Sequence, residues 1–290
     1  MGNLEFKRII FSDADGTIYE FPGHKLSSAT KKSVLEAKKQ GVEFVIVTGN
    51  PLYQKIKDLA TELECRYVVC SNGAEIYDMK YQEYVFKNII PEQDLEKVMA
   101  IVEANNGAIS WNSETDFGLY NTSSKTREFY EFFNDFSNYN LTKSAIKGVF
   151  KLEVIEPVEK MKSIYKQIIE KNVSAEVVLL DSHIEITAKG ISKGNALKYL
   201  CEKIFKTSIN NVMAIGDSEN DLSMLAIAGY SYAMDNASQK IKSKVKLYAA
   251  SVEQNGLGDA IVDYIYRTRL EFEKAEISAK IERQKAKLNR

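Results

Sequence analysis

The sequence predicts an α/β protein, a doubly wound parallel sheet carrying an inserted α+β domain. Three observations point there. Apolar runs at residues 9–11, 42–47, 67–70 and 212–215 each lead into a polar turn that contains glycine. Helical patterns separate the first run from the second and the second from the third, the alternation expected of parallel strands with crossover connections. From about residue 84 the texture changes to short alternating strands and amphipathic helices, and it changes back at residue 190.

Taken in order, residues 9–11 are a buried strand that delivers Asp13 and Asp15 into a turn at Gly16. Residues 27–40 place Ser27 at an N-cap, Ala29, Val34, Leu35 and Ala37 along the helix and Gly41 just past its end. The strand at 42–47 ends in Thr48-Gly49-Asn50-Pro51, and the proline suits the first turn of a helix over 52–63. Residues 67–70 form a third buried strand, ending in Ser71-Asn72-Gly73-Ala74. Right-handed crossovers set these three turns along one sheet edge. The inserted block reads as helices over 91–105, 124–136 and 158–171, a hairpin of 108–112 with 117–121, a half-exposed strand over 149–155, and strands 176–180 and 184–187 about the turn 181–183. Ser192 caps a helix running to about residue 204. Residues 212–215 lead into Gly216-Asp217-Ser218-Glu219-Asn220-Asp221, and short strands follow at 230–234 and 246–249. The chain thus divides into a core of residues 1–83 and 188–266, an inserted domain of 84–187, and a charged helical tail of 267–290 with a sparse seam of Leu270, Ile277, Ile281 and Leu288.

At 290 residues the chain has room for about two domains at ~150 residues each. A net charge of −1 gives no electrostatic reason to expect nucleic acid. Three cysteines, with no C-x-x-C pair, read as free buried thiols in a reducing compartment. No long apolar run opens the chain, and Phe6 stands where a myristoylation motif needs Ser or Thr, so a soluble cytoplasmic protein without a membrane partner is expected. His24 and His183 have no partners at metal spacing and read as surface or hairpin residues. Asn72 and Asn236 read as turn formers. Trp111, with Tyr120, reads as strand packing, a pocket lining being the alternative.

The turns carry the chemistry. Asp13 and Asp15, one residue apart in extended chain, face the same side, and two close carboxylates ask for a cation, a shared proton, or both. The other turns bring Thr48, Lys193 and the group Asp217, Asn220 and Asp221. Carboxylate oxygens suit Mg²⁺, which keeps several waters and takes a phosphate oxygen. A lysine beside them suits a transferring phosphoryl group, and a carboxylate is a competent nucleophile toward phosphorus.

Asp13-Ala14-Asp15-Gly16-Thr17, the strand leading into Thr48-Gly49, Lys193 within residues 191–197, and residues 216–225 together resemble, in order, the four motifs of the haloacid dehalogenase superfamily. The block between residue 74 and Lys193, with Ala233-Met234-Asp235-Asn236-Ala237, is similar to the Cof-like branch, which carries a large cap between the second and third motifs. The resemblance spans residues 8–265. It implies a Rossmann-like core, an α+β cap and a Mg²⁺-dependent phosphatase acting on a small phosphorylated metabolite, a sugar phosphate first among them. Asp13 would be the nucleophile, Asp15 the general acid and base, and Thr48 and Lys193 partners of the phosphoryl group. Gly49, Asn50, Asn72 and Asn220 would supply phosphate or substrate contacts. Asp13, the backbone carbonyl of Asp15 and Asp217 would hold the metal, with Asp221 in its outer shell. Asn50 departs from the arginine common at that position of the branch. A phosphomutase and a non-catalytic binder of phosphorylated metabolites are the alternative readings, and oligomeric state is not fixed by these residues.

Overall fold

The computed structural model describes residues 7–21, 23, 25–133, 136, 139–142, 147–180 and 182–288. His24 and Asp181, named above, lie outside the described residues. Among those described, the chain runs through β1 (Ile9–Ser12), α1 (Ser28–Lys39), β2 (Glu43–Val47), α2 (Gln54–Glu62), β3 (Tyr67–Cys70), β4 (Glu75–Asp78), β5 (Glu83–Lys87), α3 (Glu92–Ala104), β6 (Ile109–Asn112), β7 (Asp116–Tyr120), α4 (Ser124–Phe133), β8 (Asn140–Thr142), β9 (Lys151–Val154), α5 (Val158–Glu170), β10 (Glu176–Leu179), β11 (Ile184–Thr187), α6 (Lys193–Tyr199), β12 (Met213–Gly216), α7 (Leu222–Leu225), β13 (Tyr230–Met234), α8 (Gln239–Lys242), β14 (Leu247–Ala249) and α9 (Gly256–Leu288). It forms two compact units, residues 1–44 with 198–290, and residues 45–197.

The first unit holds the strand order β14-β13-β12-β1, parallel throughout. Its interior strands are apolar on both faces, as parallel strands covered by helices must be: Ile9, Ile10, Phe11, Met213, Ala214 and Ile215 are fully buried. Helix α1 begins as its sequence requires, with Ser27 accepting from the Thr30 backbone N–H at 3.0 Å, and ends before Gly41 at φ +79°. Helix α9 packs Leu257, Ile261 and Tyr264 into this core and continues without a break through the residues expected to form a separate tail. The Tyr264 hydroxyl donates to Asn211 O at 2.5 Å and accepts from Ile9 N–H at 3.2 Å, while Arg8 Nε donates to Thr268 Oγ1 at 2.9 Å.

In the second unit β2 and β3 pair in parallel, and β3-β4-β5 continue antiparallel. A second sheet follows the order β10-β11-β9-β6-β7-β8. Ile109, Trp111, Leu152, Val154, Ile184 and Ile186 face α3 and α5, against Val98, Ile101, Met161, Ile164 and Ile168. Trp111 is therefore packing: it lies on Gly118, where a Cβ would meet its indole at 2.2 Å. The three cysteines are buried and form no disulfide among the described residues. No helix of the described residues is long and apolar enough to cross a membrane.

Several local expectations need correction. Helix α2 starts at Gln54 with Tyr53 at its N-cap, so Pro51 precedes the helix and closes a turn through its carbonyl, which accepts from Tyr53 N–H at 2.7 Å. The β4–β5 hairpin and the short β8, parallel to β7, were not expected from the sequence pattern. The strand at 149–155 is not half-exposed, because its polar face is covered: Lys151 keeps 8% of its surface.

Candidate active site

In the first unit, parallel pairing of β1 with β12 sets Ser12 opposite Ile215, and the ladder extends one step further as Asp13 N–H donates to Ile215 O at 3.0 Å. Asp13 and Asp217 thus leave the carboxyl ends of neighbouring strands, where an open α/β sheet builds its sites. One carboxylate oxygen each from Asp13, Asp217 and Asp221 lies within 4.8 Å of the others. Asp221 is fully buried, and its Oδ2 accepts from Asp217 N–H at 3.0 Å, Ser218 N–H at 2.9 Å and Ser218 Oγ at 3.1 Å. That carboxylate fixes the loop that presents Asp217. Asn220 accepts from Ser218 Oγ at 2.6 Å, within the same loop.

Gly16 explains why the first motif needs glycine there. Its φ is +78°, and a Cβ would stand 2.3 Å from Asp217 Oδ2. Asp15 and Tyr19 form a single bridge, with Gly16 N–H donating to Tyr19 O at 2.8 Å, so the turn folds back on itself. Asn236, read from the sequence only as a turn former, donates from Nδ2 to Gly16 O at 2.9 Å and to Asp217 Oδ2 at 3.0 Å. It was missed as a site residue because its partners stand 220 and 19 positions away.

The second unit gathers the other turns. Thr48 is fully buried and does not cap α2; its Oγ1 accepts from Asn50 N–H at 3.0 Å and from Asn50 Nδ2 at 3.2 Å. A hydroxyl that accepts twice keeps its own proton for a third partner. Asn72 N–H donates to Thr48 O at 3.1 Å and Ser71 N–H to Asn50 O at 2.9 Å, which locks the turn after β2 to the turn after β3. Asn72 has φ 56°, as its reading as a turn former requires, and its Nδ2 also donates to Glu185 Oε2 at 2.5 Å. Gly73, at φ +108°, would carry a Cβ 2.6 Å from Ser192 O, so this turn abuts the start of α6. There Ser192 Oγ accepts from Asn195 N–H at 3.1 Å and Lys193, the first helical residue, is buried.

A polar cluster that the sequence did not suggest lies in the same unit. Lys151 Nζ donates to Gly49 O at 2.8 Å and to Glu153 Oε1 at 2.7 Å. Glu153 Oε2 accepts from Ser110 Oγ at 2.9 Å and the Tyr130 hydroxyl at 2.8 Å. His183 Nε2 is 3.8 Å from Glu153 Oε1, and ligand atoms of Glu153, His183 and Glu185 lie within 4.8 Å of one another. His183 does sit in a hairpin turn, but the expectation that it lacks partners at metal spacing is overturned, since those partners come from β9 and β11. Burial opposes charge on both members of the Lys151–Glu153 pair. Their mutual attraction outweighs it, holding the lysine up and the carboxyl below the usual carboxylate range. Beneath them Glu75 is buried, its Oε1 accepting from Ser71 Oγ at 2.6 Å and Asn112 Nδ2 at 3.4 Å. Burial raises its pKa to about 7, against the opposing pull of the Ser71 and Tyr84 hydroxyls.

The donor set of the first unit is all carboxylate oxygen, which suits a hard divalent cation, and Asp13 and Asp217 with Asp221 are the residues fitted to hold one. The sequence matches the family of haloacid dehalogenase-like hydrolases over residues 10–261. It is 27% identical over 260 residues to the 5-amino-6-(5-phospho-D-ribitylamino)uracil phosphatase YcsE of Bacillus subtilis, covering 89% of this chain and 96% of that one. It is 27% identical over 268 residues to the 5-amino-6-(5-phospho-D-ribitylamino)uracil phosphatase YbjI of Escherichia coli, covering 88% of this chain and 94% of that one. Among solved structures, the HAD subclass IIB sugar phosphatase BT4131 matches at a TM-score of 0.77 and 21% identity, covering 89% of this chain and 99% of that one.

Proposed function

The chain belongs to the haloacid dehalogenase-like hydrolases and is a phosphatase, and from that premise we propose that it is a Mg²⁺-dependent phosphomonoesterase working through an aspartyl-phosphate. The observation that carries the reading is the Asp13–Asp217–Asp221 cluster at the carboxyl ends of β1 and β12. A carboxylate oxygen of Asp13 attacks phosphorus, and the bond from phosphorus to the ester oxygen breaks. Asp15 gives its proton to that leaving oxygen, and then takes one from the water that attacks the aspartyl-phosphate, releasing inorganic phosphate and restoring Asp13. Thr48 and Lys193 serve the phosphoryl group as hydroxyl donor and cation, and Gly49, Asn50, Asn72 and Asn220 as the surrounding contacts. Asp13, Asp217 and the carbonyl of Asp15 would hold Mg²⁺, with Asp221 in its outer shell, and the bound ion would supply charge neutralisation at the phosphoryl oxygens.

Residues 84–187 act as the cap that selects the leaving group, and the substrate is a small phosphorylated metabolite of the sugar-phosphate kind. The ribitylamino-uracil phosphate named for the two bacterial relatives carries its phosphate on an alditol chain, which supports that class. The test is phosphate release from a panel of phosphorylated metabolites and p-nitrophenyl phosphate with Mg²⁺, wild type against Asp13→Asn. Turnover by wild type and none by Asp13→Asn is expected; near wild-type turnover by the variant removes Asp13 as nucleophile.

A further inference from the structure

The second sheet has two faces of opposite character. One is the apolar face packed on α3 and α5. The other carries two cross-strand rows, Ser110–Glu153–Glu185 and Asn112–Lys151–Thr187, fixed by the register of β6, β9 and β11. An antiparallel sheet with one covered face ordinarily gives its polar residues to water. Here Ser110, Asn112, Lys151 and Thr187 are all buried. The register also sets Glu153 directly opposite Glu185, a like-charge pairing that weakens a sheet unless something else uses it. Lys151 bonds to one of the two, leaving two carboxylates to one ammonium within these rows, and His183 Nε2 stands 3.8 Å from Glu153 Oε1.

This face meets the turns expected to contact phosphate. Lys151 donates to the Gly49 carbonyl, and Glu185 accepts from Asn72. Lys151 and Glu153 are consumed by their mutual bond and by Ser110, Tyr130 and Gly49. Glu185 and His183 are only half-buried, so their polar atoms are the part of the cluster that a ligand beside those turns meets. Carboxylate oxygens accept hydrogen bonds and repel acids.

Resting on the phosphatase reading, we infer that Glu185 and His183, held by the Lys151–Glu153 pair, select the alcohol part of the substrate: a hydroxyl-rich, uncharged leaving group, as in an alditol phosphate, against one bearing a second acid group. The hydroxyls donate to Glu185 and share a proton with the His183 ring. A carboxylate or second phosphate at that place meets an excess of negative charge.

The test compares kcat/KM of wild type, Glu185→Gln and His183→Ala on sorbitol 6-phosphate, 3-phosphoglycerate and p-nitrophenyl phosphate, whose leaving group has no alcohol hydroxyls. Wild type is expected to favour sorbitol 6-phosphate over 3-phosphoglycerate by about tenfold or more, the size of a hydrogen bond to a charged group. In both variants the ratio of sorbitol 6-phosphate to p-nitrophenyl phosphate falls by a similar factor, mainly through KM. Glu185→Gln keeps an oxygen for Asn72, so it tests the charge with the fold retained. A common loss on all three substrates in both variants, or wild-type preference for 3-phosphoglycerate, overturns the inference while the phosphatase reading stands. No release by wild type even from p-nitrophenyl phosphate overturns both.

Discussion

Replacing Glu75 by Gln removes a carboxylate that the fold keeps from water. Its side chain is wholly buried, Oε1 is held by Ser71 and Asn112, and Oε2 has no hydrogen-bond partner among the described residues. The group therefore stays protonated in the native state up to about pH 7, while in the unfolded chain it ionises near 4.5. Between those values the native state binds the extra proton, so stability falls as pH rises through the window and levels off above 7. At ~1.4 kcal/mol per pH unit the fall is about 3 kcal/mol. Gln carries no such proton and resembles the neutral acid in shape. Urea unfolding of wild type and Glu75→Gln at steps from pH 4.5 to 8.5 is the assay. The two proteins should agree at the acid end, and the variant should be more stable by about 3 kcal/mol at pH 8.5. A variant less stable than wild type at pH 8.5, or one with the wild-type slope, would show that Glu75 is ionised and stabilised in the native protein and refute the reasoning.

Gly16→Ala forces a side chain into left-handed backbone and onto Asp217, and should cost about 1–3 kcal/mol of stability; it should also weaken Mg²⁺ binding by calorimetric titration, and wild-type affinity in the variant would count against Asp217 as a ligand. Lys151→Met leaves Glu153 buried without its cation and should destabilise by about 3–5 kcal/mol in urea at pH 7, with Lys151→Met/Glu153→Gln recovering part of the loss. Because Lys151 holds Glu153 below the usual carboxylate range despite burial, stability from this pair is fully present above the ordinary carboxylate pKa and is lost progressively as pH falls from there toward the lowered one. Wild type melted at steps below about pH 4.5 should lose this contribution progressively, while Lys151→Met/Glu153→Gln should lack that part of the pH dependence. Removal of divalent cations with EDTA should abolish phosphate release and added Mg²⁺ restore it; undiminished turnover in EDTA would exclude the metal role.

The strands of the parallel sheet were legible because each is a continuous apolar run, and Ser27 and Gly41 marked both ends of α1. The β4–β5 hairpin was not, since Glu75 and Asp78 are buried there and break the run into which a strand would be read. Residues 149–155 show the deeper limit. Alternation in one strand tells that two faces differ, and it cannot tell whether the polar face meets water or another polar surface. Within the site, Asp13 and Asp217 stood out through their motifs and turns, whereas His183 carries no local signal and the stretch around Asn236 shows only a turn, not its partners. Their partners are made by register and by chain reversal, which a single segment does not encode.

Asp13 stands near the start of the chain, yet its strand is completed by β12, and the loop that faces it is set by Asp221. The Tyr264 hydroxyl and Thr268 then tie the backbone at Ile9 and the side chain of Arg8. Residues 45–197 form a unit continuous in sequence, while the first unit closes only through its late segments. During synthesis residues 45–197 are therefore complete while β1 still lacks β12, and the carboxylate cluster comes into being only after residue 221 has emerged. Contacts of such sequence separation form slowly. The chemistry of the phosphatase is in this sense a late event in its own folding, and Asp13 waits without its partner carboxylates until most of the chain has been made.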